Sequence, residues 1–184
     1  MNYNSGTPYA SHTRDSCVAI LNCAAGYYAN IGTYVCEPCS PQYATVAKTS
    51  CVSSPTYCGN GNSVLANYQC INCLATDSSK SYANVAHTNC VAMANCDDNY
   101  YGNPSTRTCE PCVNSGYFVS VDHSTCYATK PECGSGNAVV AAVAVYQCRR
   151  CQVHNSGLPY ALPGFDGCVA QVNCPNNYWG NSAS

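Results

Sequence analysis

The residues of this chain best suited to chemistry are its eighteen cysteines, just under a tenth of its 184 residues. Close Cys-x-x-Cys pairs alternate with looser pairs, in which five or six residues separate the two cysteines. Zinc sites, thiol–disulfide exchange and structural disulfides all use cysteines in such numbers. The cysteines are Cys17, Cys23, Cys36, Cys39, Cys51, Cys58, Cys70, Cys73, Cys90, Cys96, Cys109, Cys112, Cys126, Cys133, Cys148, Cys151, Cys168 and Cys174.

Zinc and redox chemistry fit this spacing poorly. Two Cys-x-x-Cys pairs could hold one zinc ion, but the looser pairs would be left over, and the basic residues usual around nucleic-acid-binding zinc ribbons are missing. A redox-active pair needs a helix that starts after a strand and lowers a thiol pKa, and the sequence around "CEPC" and "CRRC" does not indicate one. We therefore predict that all eighteen cysteines form disulfides, with no metal and no cofactor.

The histidines and acidic residues form no recognisable catalytic pattern. Asp97 and Asp98 in "CDDNYYGN" could bind calcium, but the matching segments read "CAAGYYAN" and "CPNNYWGN", without the acids. No Ser-His-Asp arrangement and no phosphate-binding glycine loop is apparent. We expect the histidines to lie at the surface and predict that the protein is not an enzyme. The histidines are His12, His87, His123 and His154.

The elements that must position the cysteines come from an internal repeat. Cys17, Cys23, Cys36 and Cys39 recur 73 residues later, and the following cysteines recur after 75 and 78 residues. Flanking phrases recur too: "GYYANIGTYVCEPC" matches "NYYGNPSTRTCEPC", and "NYQCINC" matches "VYQCRRC". We infer cysteine-rich repeat units at residues 1–73 and 74–151 and a partial third unit at residues 152–184.

Two disulfide connectivities suit this spacing, and sequence alone does not decide between them. In the first, each module links its first cysteine to its third and its second to its fourth, as in Cys36–Cys51. In the second, sequential neighbours pair, as in Cys23–Cys36 and then Cys39–Cys51. We favour the first pairing because it closes every module and leaves Cys17 to bond Cys23.

Either pairing predicts the same fold class. Modules of under 40 residues are too small to build an ordinary hydrophobic core, so disulfides must replace it. Contacts then run mainly between neighbouring modules. We predict a small disulfide-rich fold: an elongated rod of tandem cysteine-rich modules, with short β-hairpins and little or no helix.

Composition restricts the partners and the location. A formal charge of -2 with only seven Lys and Arg leaves no basic surface for nucleic acid. The longest apolar run, residues 138–146, is about half of what a membrane-spanning helix needs, so we predict a buried or paired strand and no membrane insertion. Dense disulfides predict an extracellular or cell-surface location. No unblocked Asn-x-Ser/Thr occurs, which leaves O-linked glycans on Ser and Thr as the expected sugars.

The periodic phrases "C…YY…C-x-P-C" and "C-G-x-G…QC-x-x-C" resemble those of the surface immobilization antigens of ciliates. The resemblance covers essentially the whole chain. It implies cysteine-rich modules of the tumour necrosis factor receptor and growth factor receptor type, exported and attached by a lipid anchor as a dense coat. The sequence shows neither a signal peptide nor the hydrophobic tail that such anchoring requires, so we expect a mature form or a fragment.

These observations predict a non-catalytic structural or surface-coat protein. Because the chain starts just after one expected Cys-x-x-Cys and stops just before another, we expect copies to join head to tail into a fibre or coat. One alternative is a receptor-like ligand-binding module, for which the loop at residues 134–147, 14 residues long against 11 in the first unit, is the candidate site. Another is a fragment of a longer lipid-anchored surface antigen.

Overall fold

The computed structural model describes residues 6–112, 116–135, 137–139, 147–170, 173 and 175. They belong to two compact units, Met1–Ala92 with Ser105–Thr108, and Met93–Pro104 with Cys109–Ser184. Strands of two to four residues dominate both units. The strands are β1 Tyr9–Ala10, β2 Cys17–Val18, β3 Tyr27–Asn30, β4 Val35–Pro38, β5 Tyr43–Ala44, β6 Cys51–Val52, β7 Asn62–Leu65, β8 Gln69–Asn72, β9 Tyr82–Ala83, β10 Cys90–Val91, β11 Tyr100–Asn103, β12 Thr108–Pro111, β13 Phe118–Val119, β14 Cys126–Tyr127, β15 Asn137–Val139, β16 Cys148–Arg150, β17 Tyr160–Ala161 and β18 Cys168–Val169.

Helical structure is limited to short segments. Two four-residue α-helices are α1 Cys73–Thr76 and α2 Cys151–His154. The 3₁₀ turns are Ile20–Asn22, Pro55–Cys58, Ser78–Lys80, Met93–Asn95 and Lys130–Cys133. The predicted small disulfide-rich fold of tandem modules, with short hairpins and little helix, is confirmed.

One strand pattern repeats along the chain. In the first unit, two four-stranded sheets have the orders β2-β1-β4-β3 and β6-β5-β8-β7. In each, two antiparallel hairpins are joined because the first strand pairs parallel with the last, as at Ala10–Val35 and Ala44–Gln69. We call the repeated stretches modules, at residues 9–38, 43–72, 82–111 and 118–150; a fifth hairpin covers 160–169. In the fourth module the parallel contact is a single bridge, Val119–Gln147.

Each module core is built around a disulfide. In the first module, Tyr9, Cys23, Ala29 and Cys36 form the buried cluster. In the fourth, the cluster is Phe118, Cys133, Val139 and Cys148. An aromatic residue from the first strand therefore covers the bridge between the 3₁₀ turn and the last strand. This packing agrees with the expectation that sulfur bridges replace a larger apolar core.

Eight disulfides join sequential cysteines, with Cα–Cα distances of 5.4 to 5.8 Å, inside the usual range. Four lie within modules: Cys23–Cys36, Cys58–Cys70, Cys96–Cys109 and Cys133–Cys148. Four link a module to the hairpin that follows it: Cys39–Cys51, Cys73–Cys90, Cys112–Cys126 and Cys151–Cys168. The connectivity that we favoured from the sequence is wrong, and the sequential alternative is the one observed.

Strand geometry explains why the first connectivity fails. Cys36 lies within β4, and its side chain is buried in its own module beside Cys23. Cys39 follows β4, where the chain leaves the module, and it reaches Cys51 in the next hairpin. A Cys36–Cys51 bond would need the first of these cysteines to leave the core in which β4 holds it.

Two predicted disulfide cysteines stand apart. Cys17 is exposed and free, and the bond to Cys23 expected for it does not form because Cys23 is bonded to Cys36. Cys174 lies outside the described residues. Of the apolar run at 138–146, Ala138 and Val139 are buried in β15, which pairs with β16; residues 140–146 lie outside the described ranges. No helix in the described part of the chain has the length and apolar character needed to cross a bilayer.

Peptide mapping of the unreduced protein should recover the eight sequential pairs, and recovery of Cys36–Cys51 would contradict this fold. Replacing both Cys58 and Cys70 by Ser should lower the free energy of unfolding by about 3 kcal/mol, because the 12-residue separation that the bridge closes becomes free in the unfolded chain. Denaturant unfolding under non-reducing conditions measures the loss. Cys17→Ser is the matched control and should change stability little.

Candidate functional site at the module joints

The contact between one module and the next hairpin, which we call the module joint, repeats along the chain. At each joint an N–H in the third strand of a module donates to the carbonyl of one residue in the next hairpin turn. That turn residue has a left-handed backbone, with φ between 55° and 58°. The donor–acceptor pairs are Ala29–Lys48 at 2.8 Å, Val64–His87 at 2.9 Å, Gly102–His123 at 2.8 Å and Val139–Phe165 at 2.7 Å.

Local hydrogen bonds hold the turn in this strained conformation. The N–H of His87 donates to the carbonyl of Asn84, three residues earlier, at 2.9 Å. The Asn84 side-chain oxygen accepts the N–H groups of Thr88 and Asn89. In the turn before β14, Ser120 Oγ accepts from Ser124 and Thr125 in the same way. Asn and Ser are suited to this task because their short polar side chains bond to nearby backbone.

The side chains of three turn residues make a second bond across the joint. His87 Nδ1 lies 2.7 Å from the Asn62 carbonyl, and His123 Nδ1 lies 2.7 Å from the Tyr100 carbonyl. Lys48 Nζ donates to the carbonyl of Cys23, and burial lowers the pKa of this lysine. Because a carbonyl only accepts, each histidine carries its proton on Nδ1.

The expectation that the histidines lie at the surface is therefore wrong for two of them. His87 and His123 are 8% and 7% exposed, because the left-handed turn directs each ring back onto the preceding module. His12 is exposed and lies against Tyr27, with ring centroids 4.8 Å apart. The side chain of His154 is outside the described part of the structure. The recurring position of Lys48, His87 and His123 in the repeat was the signal that could have identified them.

Glycine allows two of the joints to close tightly. Gly26, at φ +80°, donates its N–H to Gln69 Oε1 at 3.3 Å. A Cβ at this position would lie 2.3 Å from the Asn67 carbonyl oxygen. Gly61 occupies the same place in the next module and donates to Thr108 Oγ1 at 3.0 Å. Any larger residue at these positions must push the two segments apart.

The Cys-x-x-Cys pairs are structural in this geometry. Cys73 and Cys151 do begin short helices directly after strands, a context that the sequence reading missed. Both are fully buried, however, and the two cysteines of each pair are bonded to different partners. A redox-active pair instead alternates between a bond to each other and free thiols.

The acidic residues considered for calcium are placed on an exposed turn. Asp98 forms an ion pair with Arg149 at 2.5 Å, and Asp97 is exposed. Within the described ranges, no group of three His, Cys, Asp or Glu side chains gathers in a way that could hold a metal ion.

Comparison with protein-family models, with curated proteins and with solved structures found no match to this chain. The joint geometry is therefore the observation from which function must be argued. It combines one disulfide, one backbone hydrogen bond and, in three cases, one side-chain bond to a carbonyl. Such an arrangement couples modules mechanically.

Gly26→Ala should destabilise the protein by about 2–3 kcal/mol, since the methyl group meets the Asn67 oxygen and alanine resists a positive φ. Gly116→Ala is the matched control: Gly116 has φ +90° but no atom within 4 Å of the added methyl group. It should cost only about 1 kcal/mol. Denaturant unfolding compares the two, and equal losses would show that the close approach does not matter.

Asp122 provides a pH-dependent test of the turn that carries His123. Hydrogen bonds from Ser120 Oγ and Ser124 Oγ lower the pKa of the Asp122 carboxyl below 3.8. Its contribution to stability is present above that ordinary value and is lost as pH falls through the lowered folded pKa. Asp122→Asn should therefore reduce the free energy of unfolding at pH 7 and abolish this part of the acid loss.

Thermal unfolding between pH 2 and 7 measures this effect, with the exposed Asp97→Asn as the control for the change in charge. An unchanged acid profile in Asp122→Asn would contradict the role given to the carboxylate.

Proposed function

We propose that this protein is a non-catalytic structural component of an extracellular coat or fibre, in which the disulfide-linked module is the building unit. The single observation that supports this proposal is the repetition of the module joint four times with different side chains. Two histidines and a lysine, the residue types most often used in acid–base chemistry, donate to main-chain carbonyls there. Their polar atoms contribute to assembly of the modules.

The extracellular part of the proposal has direct support from the disulfides. Eight bridges in the described residues are typical of proteins from oxidising compartments. The resemblance to ciliate surface immobilization antigens points the same way and adds the idea of a dense cell-surface coat. O-linked glycans on exposed Ser and Thr would be compatible with such a coat.

Joining of copies is proposed from the first hairpin turn. Arg14 has φ 58°, and its N–H donates to the Ser11 carbonyl at 2.9 Å, as in the later turns. Arg14 and Cys17 are both exposed, and no described strand donates to the Arg14 carbonyl. This turn therefore presents the surface that receives a third strand at the other joints. In our proposal, another copy of the chain supplies that strand.

Light scattering and negative-stain imaging across a range of protein concentrations test the assembly. We expect the mass to rise with concentration and filaments or sheets to form. Arg14→Val should prevent this, because a β-branched residue disfavours positive φ. Arg14→Asn, which keeps the left-handed turn accessible, is the matched control and should assemble normally. A monomer at every concentration would overturn the proposal.

The intact mass of the native protein separates the coat proposal from its closest rival. A mass near 19.5 kDa, apart from sugars, agrees with assembly from this chain. A much larger single chain with further cysteine-rich modules would instead favour a fragment of a longer lipid-anchored antigen.

A further inference from the structure

A groove of about 540 Å³ lies in the second unit, beside the fourth module. It borders the hairpin formed by β15 and β16, the region whose loop is longest among the corresponding loops. The lining residues that matter for binding are Asp98, Val121, Gln147, Arg149, Arg150 and Val153. Together they combine charges of both signs, a buried amide and exposed apolar side chains.

Gln147 has a buried acceptor with no donor. His123 Nδ1 bonds the Tyr100 carbonyl, so Nε2 is the acceptor in this ring, and Gln147 Nε2 donates to it at 2.8 Å. This bond fixes the orientation of the amide. Gln147 Oε1 then has no partner in the described structure, although the residue is only 4% exposed. An unpaired buried oxygen is costly, and a ligand N–H or O–H would remove that cost.

The same position in the first unit shows what is missing. There, the corresponding Gln69 Oε1 accepts the N–H of Gly26. The residue that corresponds to Gly26 in the third module is Asn99, at φ 70°. Because a Cβ at Gly26 would lie 2.3 Å from a facing carbonyl, asparagine at this position prevents an equally close approach. The replacement explains why the acceptor of Gln147 is left open and why a groove forms at this joint.

Charges gather at this groove in a chain that has few of them. Asp98, Arg149 and Arg150 are three of only sixteen acidic and basic side chains, seven Lys and Arg plus nine Asp and Glu. Arg149 is paired with Asp98 at 2.5 Å, whereas Arg150 is exposed. Gln147 and Arg149 are two residues apart along one strand, a separation of about 7 Å. An anionic group can therefore bind the arginines while a neighbouring donor reaches Gln147.

Two valines provide an apolar surface beside these polar groups. Val121 and Val153 are 37% and 78% exposed and both line the groove. A suitable ligand thus has a carboxylate, an adjacent hydrogen-bond donor and an apolar side chain. The last residue of a peptide has all three, since its carboxylate and amide N–H flank the side chain.

We propose that this groove binds the carboxyl-terminal residue of a peptide, with an apolar side chain at that residue. The carboxylate pairs with Arg150 and competes with Asp98 for Arg149. The amide N–H donates to Gln147 Oε1, and the side chain packs against Val121 and Val153. This site is independent of the proposed coat function, and its test does not depend on assembly.

Titration of the isotopically labelled full chain with N-acetyl-L-leucine, followed by amide NMR shifts, tests the site. We expect saturable shifts around Gln147 to Arg150 with a Kd of about 1 mM, as befits a ligand of roughly a dozen heavy atoms. N-acetyl-L-leucinamide, which lacks the carboxylate, should bind at least about fivefold more weakly. Acetate, which lacks the side chain and the amide, should also be weaker.

Substitutions give effects of opposite sign. Arg150→Gln should weaken N-acetyl-L-leucine binding about fivefold, whereas Asp98→Asn should strengthen it, because Arg149 loses its competing carboxylate. Lys80→Gln removes an exposed charge in the first unit and should change nothing. Unchanged disulfide maps and amide spectra verify that each variant is folded. Absence of saturable shifts, equal binding of the leucinamide or of acetate, or weaker binding to Asp98→Asn would each overturn the proposal.

Discussion

The structure depends on how each Cys-x-x-Cys pair divides its two bonds. The first cysteine bonds backward, inside its own module, and the second bonds forward, to the hairpin that follows. One pair thus closes a core and connects it to its neighbour. Stretches of about 30 residues cannot bury enough apolar surface to fold alone. The covalent bridges restrict the unfolded chain and compensate for that shortage.

The module joint adds precision to this covalent connection. Its recurrent contact uses the backbone: a strand N–H and the carbonyl of a left-handed turn residue. Lys48, His87, His123 and Phe165 can all occupy the turn because the carbonyl, which every residue has, makes the shared bond. Side-chain bonds from Lys48 and the two histidines strengthen particular joints. The repeat therefore tolerates sequence change wherever the turn conformation is kept.

Local departures from the repeat change what a joint can do. Gly26 and Gly61 allow close contact and satisfy facing side chains, whereas Asn99 carries a Cβ at the same position. At that joint a buried amide oxygen is unpaired and a groove with two arginines is present. A protein of repeated structural modules can acquire a specific site in this way, through a few substitutions at one joint while the disulfides retain the fold.

The sequence by itself determined the class of fold, because cysteine density and spacing require disulfides and leave too few apolar residues for an ordinary core. It also revealed the repeat, through phrases such as "CEPC" and "YQC". Only the tertiary structure decided which cysteines pair, because Cys36 and Cys39 are chemically identical and differ only in whether they face their own module or the next. It likewise decided that His87 and His123 are buried, since the left-handed turn that directs them inward has no distinct signature in one sequence.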